Sequence, residues 1–298
     1  MFKGSFPALY TFFKDKGRKI DYSKSYQLID FLIGKGANGF YVCGTTGAAP
    51  LLSTAERAEM GRKITKYVNG RIPVMIQCGT TSTEESVYLA KEAKKCGADA
   101  VSCSTAYYFK YEEANLEEFF TKVARSISPT PMFLYNLPQN TNNDVSVKLV
   151  KKLLSHENNI IGIKNSASDI KLTENYIKID DRFTVMNGSD PYLLQALKLG
   201  AKGAVSSTAN FLPELFSDAF ASFNAGDLKS AEKAQKDITY AVKKLNQYAP
   251  LSFYLEIFKY RGIYGKDVRS PFLKLKTKEK KPVVELIKYL RKNTEVKI

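Results

Sequence analysis

The sequence is poor in the residues that build metal and disulfide sites. It has one histidine, His156, and four cysteines, Cys43, Cys78, Cys96 and Cys103, none of which forms a C-x-x-C pair. We therefore expect reduced cytosolic thiols and no bound metal. A zinc cluster of Cys43, Cys78 and Cys103 stays open as an alternative. His156 has no partner for such a site, and we expect it at a helix end.

Long apolar runs are also absent, because no uninterrupted stretch approaches the roughly 18 residues that span a bilayer. The start, MFKGSFPALY, lacks a charged segment followed by an apolar segment and a small-residue cleavage site. We therefore expect no secretory signal and a cytoplasmic protein. Hydrophobic residues still make up 44% of the 298 residues, enough for a substantial core. This length fits a single α/β barrel.

Acidic residues are outnumbered by basic ones, and the formal net charge is +15 at pH 7. Such a balance can indicate a nucleic-acid or acidic-lipid partner. The lysines are spread along the chain, however, and no basic block with interleaved aromatic residues appears. We therefore predict a lysine-rich surface with no nucleic-acid or membrane partner. Steering of anionic substrates is a weaker use of this charge.

Short apolar stretches alternate with polar stretches of helical periodicity. Eight strand candidates follow one another at intervals of roughly 20–35 residues, as expected for βα units around a parallel sheet. They lie at 5–9, 39–43, 74–77, 100–103, 132–135, 160–164, 183–186 and 203–206. Eight such units favour a closed (β/α)8 TIM barrel. We place the barrel at residues 1–225 and a helical C-terminal extension, packed on the barrel, at 226–298.

Predicted helix boundaries help to interpret three short motifs, two capping boxes and one glycine-rich segment. Residues 53–56 (STAE) and 82–85 (STEE) are both predicted to be capping boxes. Residues 34–39 (GKGANG) match the G-x-G-x-x-G dinucleotide fingerprint, but a predicted helix precedes them and a predicted strand follows. A phosphate cradle needs the opposite order. No nucleotide site is therefore predicted.

The most informative residue is Lys164, which ends the apolar run 160–163. A strand that ends in lysine places an amine at the rim of an apolar core, where the charged form is poorly solvated. A neutral amine can attack a carbonyl carbon and form a Schiff base. Tyr135 ends the neighbouring strand, about 4.8 Å away, and barrel enzymes carry their catalytic groups at this end of the strands. The alternative is a strand-end lysine that reaches into solvent.

A further strand end carries Gly44-Thr45-Thr46-Gly47. The flanking glycines let the backbone approach a ligand, and consecutive N–H groups in such a turn can form an anion nest. A carboxylate is the natural occupant. Taken alone, the motif is equally compatible with a tight turn that enters a helix.

Together these motifs resemble those of the dihydrodipicolinate synthase/N-acetylneuraminate lyase family. The resemblance extends from Phe2 to about residue 292 and is strongest before residue 211. It rests on 44–47 (GTTG), 135–138 (YNLP) and 162–164 (GIK), with support from 188–190 (GSD), 205–210 (VSSTAN) and 269–271 (RSP).

The resemblance implies a class I aldolase that needs neither metal nor other cofactor. Lys164 then condenses with the keto carbon of pyruvate, or of a 2-keto acid that yields pyruvate, and Tyr135 shuttles the proton. Thr45 links Tyr135 to a tyrosine from a neighbouring subunit, which is Tyr108 or, as the less favoured choice, Tyr107. Such a donated residue implies at least a dimer, and relatives are commonly tetramers, so we expect a homotetramer.

The substrate contacts implied by the same resemblance surround this pair. Thr45 and Thr46 hold the pyruvate carboxylate, and the Val205 carbonyl lies near the lysine. Ser166, Asp190 and Ser207 carry hydroxyl or carboxylate groups, which suit the polyol tail of a substrate. The implied substrate-binding residues are Thr46, Gly47, Val205, Gly188, Asp190, Ser166, Ser207 and Asn140.

Three departures from the family pattern bear on the substrate. Asn140 stands where dihydrodipicolinate synthases carry an arginine for the second carboxylate, and an amide cannot supply a bidentate cationic fork. Ala48 replaces a frequent glutamate, and Pro191 replaces an acidic residue of N-acetylneuraminate lyases. We therefore predict cleavage of a 2-keto-3-deoxy sugar acid, such as 2-keto-3-deoxygluconate, to pyruvate and an aldehyde. Dihydrodipicolinate synthesis, N-acetylneuraminate cleavage and a keto-acid sensor without turnover remain alternatives.

Overall fold

A computed structural model describes residues 1–245 and 250–298. Within these ranges the chain forms ten strands, eight of which are parallel neighbours in one sheet, while two form a separate hairpin. They are β1 (Gly4–Pro7), β2 (Phe13–Lys14), β3 (Lys19–Ile20), β4 (Phe40–Val42), β5 (Val74–Gln77), β6 (Ala100–Ser104), β7 (Met132–Asn136), β8 (Ile160–Asn165), β9 (Thr184–Asn187) and β10 (Gly203–Ser206).

The sheet closes on itself as a barrel. Its order is β1-β10-β9-β8-β7-β6-β5-β4, so β1 and β4 are the two ends. A parallel bridge between Ala8 and Tyr41 joins these ends, and the Leu9 N–H donates to the Tyr41 carbonyl at 2.8 Å. The predicted TIM barrel is confirmed, with the predicted strand ends shifted by at most two residues. The hairpin of β2 and β3 was not predicted, because each of its strands has only two residues.

Helices follow the strands as the βα repeat requires. The described helices are α1 (Tyr22–Gly34), α2 (Thr54–Val68), α3 (Thr83–Lys95), α4 (Glu113–Ile127), α5 (Pro138–Thr141), α6 (Val147–Leu154), α7 (Ile170–Ile177), α8 (Leu193–Leu199), α9 (Pro213–Asn224), α10 (Leu228–Leu245), α11 (Pro250–Phe258) and α12 (Lys281–Asn293). None of them is long and apolar enough to cross a bilayer in the part of the chain that the structure describes.

One of the two predicted capping boxes forms. At α2, Ser53 and Glu56 exchange both hydrogen bonds. At α3, the Ser82 side chain accepts from the Glu85 N–H, but the Glu85 carboxylate accepts from Thr54 instead of returning to the cap. The second capping box is therefore wrong, because a hydroxyl on α2 takes the carboxylate that would complete it.

The apolar side chains divide into an inner cluster within the barrel and an outer layer between sheet and helices. Strand β7 shows the division, since Phe133 and Tyr135 point inward while Met132 and Leu134 point outward. Both faces of the strand are buried, which explains why the strands are continuous apolar runs rather than alternating ones.

The chain beyond residue 226 contains α10, α11 and α12, with a non-helical segment at 262–276, and the boundary at 225/226 stays a prediction. Helix α10 packs on α9 and α12 packs on α10. Arg269 fixes the following segment to α2 through two hydrogen bonds to the Glu56 carboxylate, at 2.7 and 2.8 Å. The segment 246–249 lies outside the described residues.

The histidine and cysteines considered for metal binding do not form a metal cluster in the described chain. His156 follows the end of α6, as predicted, and its ring lies 3.2 Å from the Thr121 hydroxyl. Cys43, Cys78 and Cys103 are buried free thiols. Within residues 1–245 and 250–298, no three side chains of the ligating types are grouped so that they could hold a metal ion. The zinc alternative therefore has no support there.

Candidate active site

Lys164 lies inside the barrel rather than in solvent. It is the penultimate residue of β8 and only 5% exposed. In the strand register it stands beside Tyr135, and its Nζ lies 3.9 Å from the centroid of the Tyr135 ring. Lys164 makes no ion pair with any described carboxylate. The Nζ therefore lies against the faces of two aromatic rings rather than in bulk solvent.

Tyr41 forms the other face of the lysine environment, and it was not predicted. Its ring centroid lies 4.2 Å from the Lys164 Nζ, and its hydroxyl is 3.0 Å from the Ser102 Oγ. Burial, together with the neighbouring Tyr135, raises the pKa of Tyr41 well above its usual range. Tyr41 is therefore a neutral phenol at every physiological pH. The strand candidate at 39–43 contains Tyr41, but no local motif marks its side chain as part of a site.

The turn after β4 combines an unusual backbone conformation with free amide groups that can bind an anion. Cys43 and Ala48, on either side of it, have φ values of +57° and +56°. Non-glycine residues in this left-handed region concentrate at functional sites. In the described chain the N–H groups of Thr45 and Thr46 donate to no protein acceptor. They are thus available to a carboxylate.

A cavity of about 790 Å³ opens over these groups at the C-terminal ends of the strands. Ten of the twelve predicted site residues line it: Thr45, Thr46, Tyr135, Asn140, Lys164, Ser166, Gly188, Asp190, Val205 and Ser207. Gly47 stands behind the turn, where its carbonyl accepts from the Thr11 hydroxyl at 2.7 Å. Its role in the structure is to hold the turn against the segment after β1.

The twelfth predicted residue, Tyr108, is outside the cavity of its own chain. It is 79% exposed, and the adjacent Phe109 is 64% exposed. Tyr108 also has φ of +82°, an unusual backbone conformation for an aromatic residue. Tyr107 is half-buried, and burial raises the pKa of its phenol. The loop therefore presents two bare aromatic rings away from the barrel.

A polar wall closes one side of the cavity. Asp190 is 8% exposed and accepts a hydrogen bond from the Ser206 hydroxyl at 2.8 Å. Burial raises the pKa of Asp190, while hydrogen bonds from Thr208 and Ser206 oppose the rise. On α11, the Tyr254 hydroxyl donates to the Ser207 Oγ at 3.1 Å, and burial raises the pKa of Tyr254 to about 12.

An apolar part of the cavity lining comes from the C-terminal extension. The lining residues beyond the barrel are Val242, Leu245, Leu251 and Phe272, with Tyr254 beside them. Sequence reasoning missed all of these, because they lie far from the strand ends along the chain. Among the described lining residues, Lys164 is the one cation.

A TIM barrel with a buried lysine between tyrosine rings, below a turn of free amides, defines the class of pyruvate-dependent lyases and aldolases. The chain matches the model of the dihydrodipicolinate synthetase family over residues 1–290, and it belongs to that family. The resemblance drawn from the sequence motifs is therefore confirmed.

Individual relatives carry two kinds of name. The chain is 34% identical to the probable 2-dehydro-3-deoxy-D-pentonate aldolase YjhH of Escherichia coli, covering 80% of this chain and 79% of that protein. It is 37% identical to the 4-hydroxy-tetrahydrodipicolinate synthase of Thermodesulfovibrio yellowstonii, covering 83% and 82%. Among solved structures, YagE of Escherichia coli in complex with pyruvate superposes with a TM-score of 0.92 at 30% identity, covering 98% of each chain.

Proposed function

We propose that Lys164 is the Schiff-base nucleophile of this enzyme, and that the reaction is the reversible cleavage of a 2-keto-3-deoxy sugar acid. The observation that carries the proposal is the position of the Lys164 amine, which is buried between Tyr135 and Tyr41 at the floor of the cavity. From this position the amine can attack the keto carbon of a substrate in the cavity and form a Schiff base.

The proposed reaction balances without an external reagent except water. The Lys164 Nζ attacks the C2 keto carbon, and the carbonyl oxygen leaves as water to give an iminium. The C4 hydroxyl gives its proton toward the Tyr135 oxygen, the C3–C4 bond breaks, and its electron pair moves into the iminium to form an enamine. The aldehyde departs, C3 takes up a proton, and water hydrolyses the iminium to release pyruvate.

The free amides of Thr45 and Thr46 are the proposed site for the carboxylate at C1. They lie on the same cavity as Lys164, and an anion accepts hydrogen bonds from such consecutive N–H groups. Thr45 is also the proposed link from Tyr135 to a tyrosine of a neighbouring subunit. In this single chain Thr45 is exposed, as a residue that awaits a covering partner would be.

The lining favours a sugar acid over aspartate semialdehyde. A second carboxylate needs a cationic side chain in addition to the Thr45 and Thr46 amides, and among the described lining residues Lys164, the proposed nucleophile, is the one such side chain. Asn140, Ser166 and Ser207 offer neutral groups that suit hydroxyls instead. Aspartate semialdehyde stays as the second candidate substrate, because the relatives include a 4-hydroxy-tetrahydrodipicolinate synthase as well as an aldolase.

The same reasoning supports assembly into a homotetramer, or at least a dimer. Tyr108 is exposed with Phe109 in a strained loop, and exposed aromatic residues of this kind are enriched at protein interfaces. A partner that covers the loop would bring Tyr108 of one subunit to Thr45 of another.

Covalent trapping tests the nucleophile. We expect borohydride reduction with pyruvate to leave a pyruvate-sized adduct on the peptide that contains Lys164, read by mass mapping. Lys164→Ala should abolish the adduct and lower turnover on the order of 10⁵-fold, the scale of losing a covalent nucleophile. Lys202→Ala, an exposed lysine at the opposite end of the barrel, is the control. An adduct on another lysine, or full activity of Lys164→Ala, contradicts the proposal.

A substrate panel tests the second half of the proposal. The panel contains 2-keto-3-deoxygluconate, 2-keto-3-deoxypentonate, N-acetylneuraminate, and pyruvate with aspartate semialdehyde. We expect kcat/KM for a 2-keto-3-deoxy sugar acid to exceed the others by at least about tenfold, the value of one lost charged contact. Faster condensation with the semialdehyde overturns the choice of substrate. A Lys164 adduct without turnover of any compound favours the sensor.

A further inference from the structure

Strands β7 and β8 meet through an irregular register. Met132 pairs with Ile160, but the next pair is Phe133 with Gly162, so Ile161 is an extra residue in β8. Such a bulge re-aims the side chains that follow it, and bulges are frequent beside active sites. Gly162 has no room for a side chain, because a Cβ there would lie 2.4 Å from a ring carbon of Phe133.

The bulge decides where Lys164 points. Without the extra residue, Tyr135 would stand beside Ile163, and Lys164 would face the helices instead of the cavity. With it, Tyr135 and Lys164 form one register pair on the inner face. A slip of one residue moves every later side chain to the opposite face of a strand. The observed register must therefore be held against its alternative.

A pair of buried amides stands at the next register position, on the outer face. Asn136 pairs with Asn165, and both are at most 1% exposed. The Asn136 Nδ2 donates to the Asn165 Oδ1 at 3.2 Å and to the Asp144 carboxylate at 2.7 Å. The Asn165 Nδ2 donates to the Thr173 Oγ1 on α7 at 2.9 Å.

The same two amides also hold the loops that leave the strands. The Asn136 Oδ1 accepts from the Val145 N–H at 3.1 Å, and the Asn165 Oδ1 accepts from the Ala167 N–H at 3.2 Å. Ser166, which lines the cavity, lies between Asn165 and Ala167, the two residues that this last hydrogen bond joins. A slipped register would break these contacts and leave buried amide groups unpaired, which is costly.

We propose that Asn136 and Asn165 are positioning residues, which lock the bulged register of β7 and β8 and so hold Lys164 against Tyr135. The inference rests on the proposed function of Lys164. It assigns the amides no contact with substrate, because they face away from the cavity.

The test compares Asn165→Ala with Asn159→Ala. Asn159 is a buried amide near the other end of the same β8 pairing, and it donates to the Ala124 and Thr130 carbonyls at 2.9 and 3.1 Å. Both variants lose buried hydrogen bonds and should lose similar Tm. We expect kcat to fall by about 10- to 100-fold only in Asn165→Ala, because misplacing a reacting group by about 1 Å costs that much. KM should change much less.

A conservative variant separates positioning from packing. Thr173→Ser keeps the hydroxyl that accepts from the Asn165 Nδ2 and should keep kcat close to the wild-type value, whereas Thr173→Val removes this contact and should lower kcat. The loss in Thr173→Val should be smaller than in Asn165→Ala, because only one bond of the network is removed, and it can be measured even if Asn165→Ala does not fold.

The outcomes distinguish this proposal from the proposed function. If Asn165→Ala and Asn159→Ala have equal kcat while the wild-type protein forms the pyruvate adduct on Lys164, the positioning role is overturned and the Schiff-base function is not. Absence of the adduct in the wild-type protein overturns the Schiff-base function instead. Equal kcat in Thr173→Val and Thr173→Ser also contradicts the positioning role.

Discussion

The floor of the cavity and its mouth are built differently. The floor consists of Lys164, Tyr135 and Tyr41, all on neighbouring or closing strands of the barrel and all at most 5% exposed. The mouth consists of loop and helix residues such as Asn140, which is exposed, and Tyr254, which comes from α11. The floor is fixed by strand register, whereas the mouth depends on loops and on the C-terminal helices.

This difference assigns separate tasks to the two regions. Groups held by a closed sheet keep their geometry while loops vary, which is how barrel enzymes support many substrates with one reaction centre. We therefore expect changes at the floor to alter turnover of every substrate by a similar factor. Changes at the mouth should alter the ratio between substrates.

The largest effect that tests the floor, short of losing the nucleophile, is expected for Tyr135→Phe. The ring and its contact with Lys164 stay, but the hydroxyl that moves the proton is lost. We expect kcat to fall roughly 10²- to 10⁴-fold, the usual contribution of a positioned proton-transfer group. Steady-state kinetics on two sugar acids should show the same factor for both.

Tyr41→Phe is the matched control for that measurement. It removes a hydroxyl from the other ring over Lys164, and that hydroxyl contacts Ser102 rather than the cavity. We expect a loss of at most about tenfold, consistent with one buried hydrogen bond. Equal losses in the two variants would assign the effect to the aromatic cage and not to proton transfer.

A second test asks whether the floor is complete in one chain. We expect Tyr108→Ala to lower kcat about a hundredfold, the lower end for a group that relays a proton. Mixing it with Lys164→Ala should restore activity, because a mixed pair of subunits contains one site with both residues intact. Random pairing in dimers predicts about a quarter of the wild-type activity.

Complementation has a clear negative result. If the mixture stays as inactive as its two components although mass measurements show mixed oligomers, Tyr108 does not act across subunits. Tyr88→Ala, another tyrosine that is 50% exposed, is the control for loss of surface aromatic area and should leave activity unchanged.

The floor was largely predictable from sequence, and the comparison shows why. Lys164 and Tyr135 end apolar runs, so local sequence marks them, and barrel topology then places them side by side. Tyr41 was missed because the closure of the barrel, between β1 and β4, brings it to the lysine. The Ile161 bulge was missed because the register of a parallel pair depends on packing across the sheet.

The mouth was less predictable, for a related reason. Tyr254 lies 90 residues after Lys164 along the chain. It reaches the cavity only because α10 and α11 pack back over the barrel. Motifs at strand ends contain no information on such packing, so the residues from the extension had no local signal.

At the mouth, Asn140→Arg should change specificity rather than chemistry. A guanidinium there supplies the bidentate cation that a second carboxylate needs. We expect kcat/KM with aspartate semialdehyde to rise about tenfold and that with a neutral sugar acid to stay or fall, consistent with about 1.4 kcal/mol for one charged contact. Asn140→Lys, a cation without the planar fork, is the control. Proportional changes for both substrates would contradict the separation of floor and mouth.

The smallest expected effect concerns the stability of the polar wall. Burial raises the pKa of Asp190, so the folded protein holds its proton to higher pH than the unfolded chain does. The free energy of unfolding therefore falls as the pH rises from the usual aspartate pKa through the raised value. Asp190→Asn removes this titration. We expect Tm of the variant to depend less on pH above the usual aspartate pKa of about 3.9, with differences on the order of a few °C.

Asp237→Asn is the comparison variant for the Tm at neutral pH, because we expect a change in the opposite direction. Asp237 is also buried, but it accepts from the Lys233 ammonium at 3.3 Å and from the Tyr289 hydroxyl at 2.7 Å. Loss of its charge should lower Tm at neutral pH, because the lysine contact weakens. Asp190→Asn should leave Tm at neutral pH unchanged or higher. If Tm at neutral pH falls in both variants, the Asp190 carboxylate stabilises the fold. The mouth of the cavity would then be as tightly constrained as the floor.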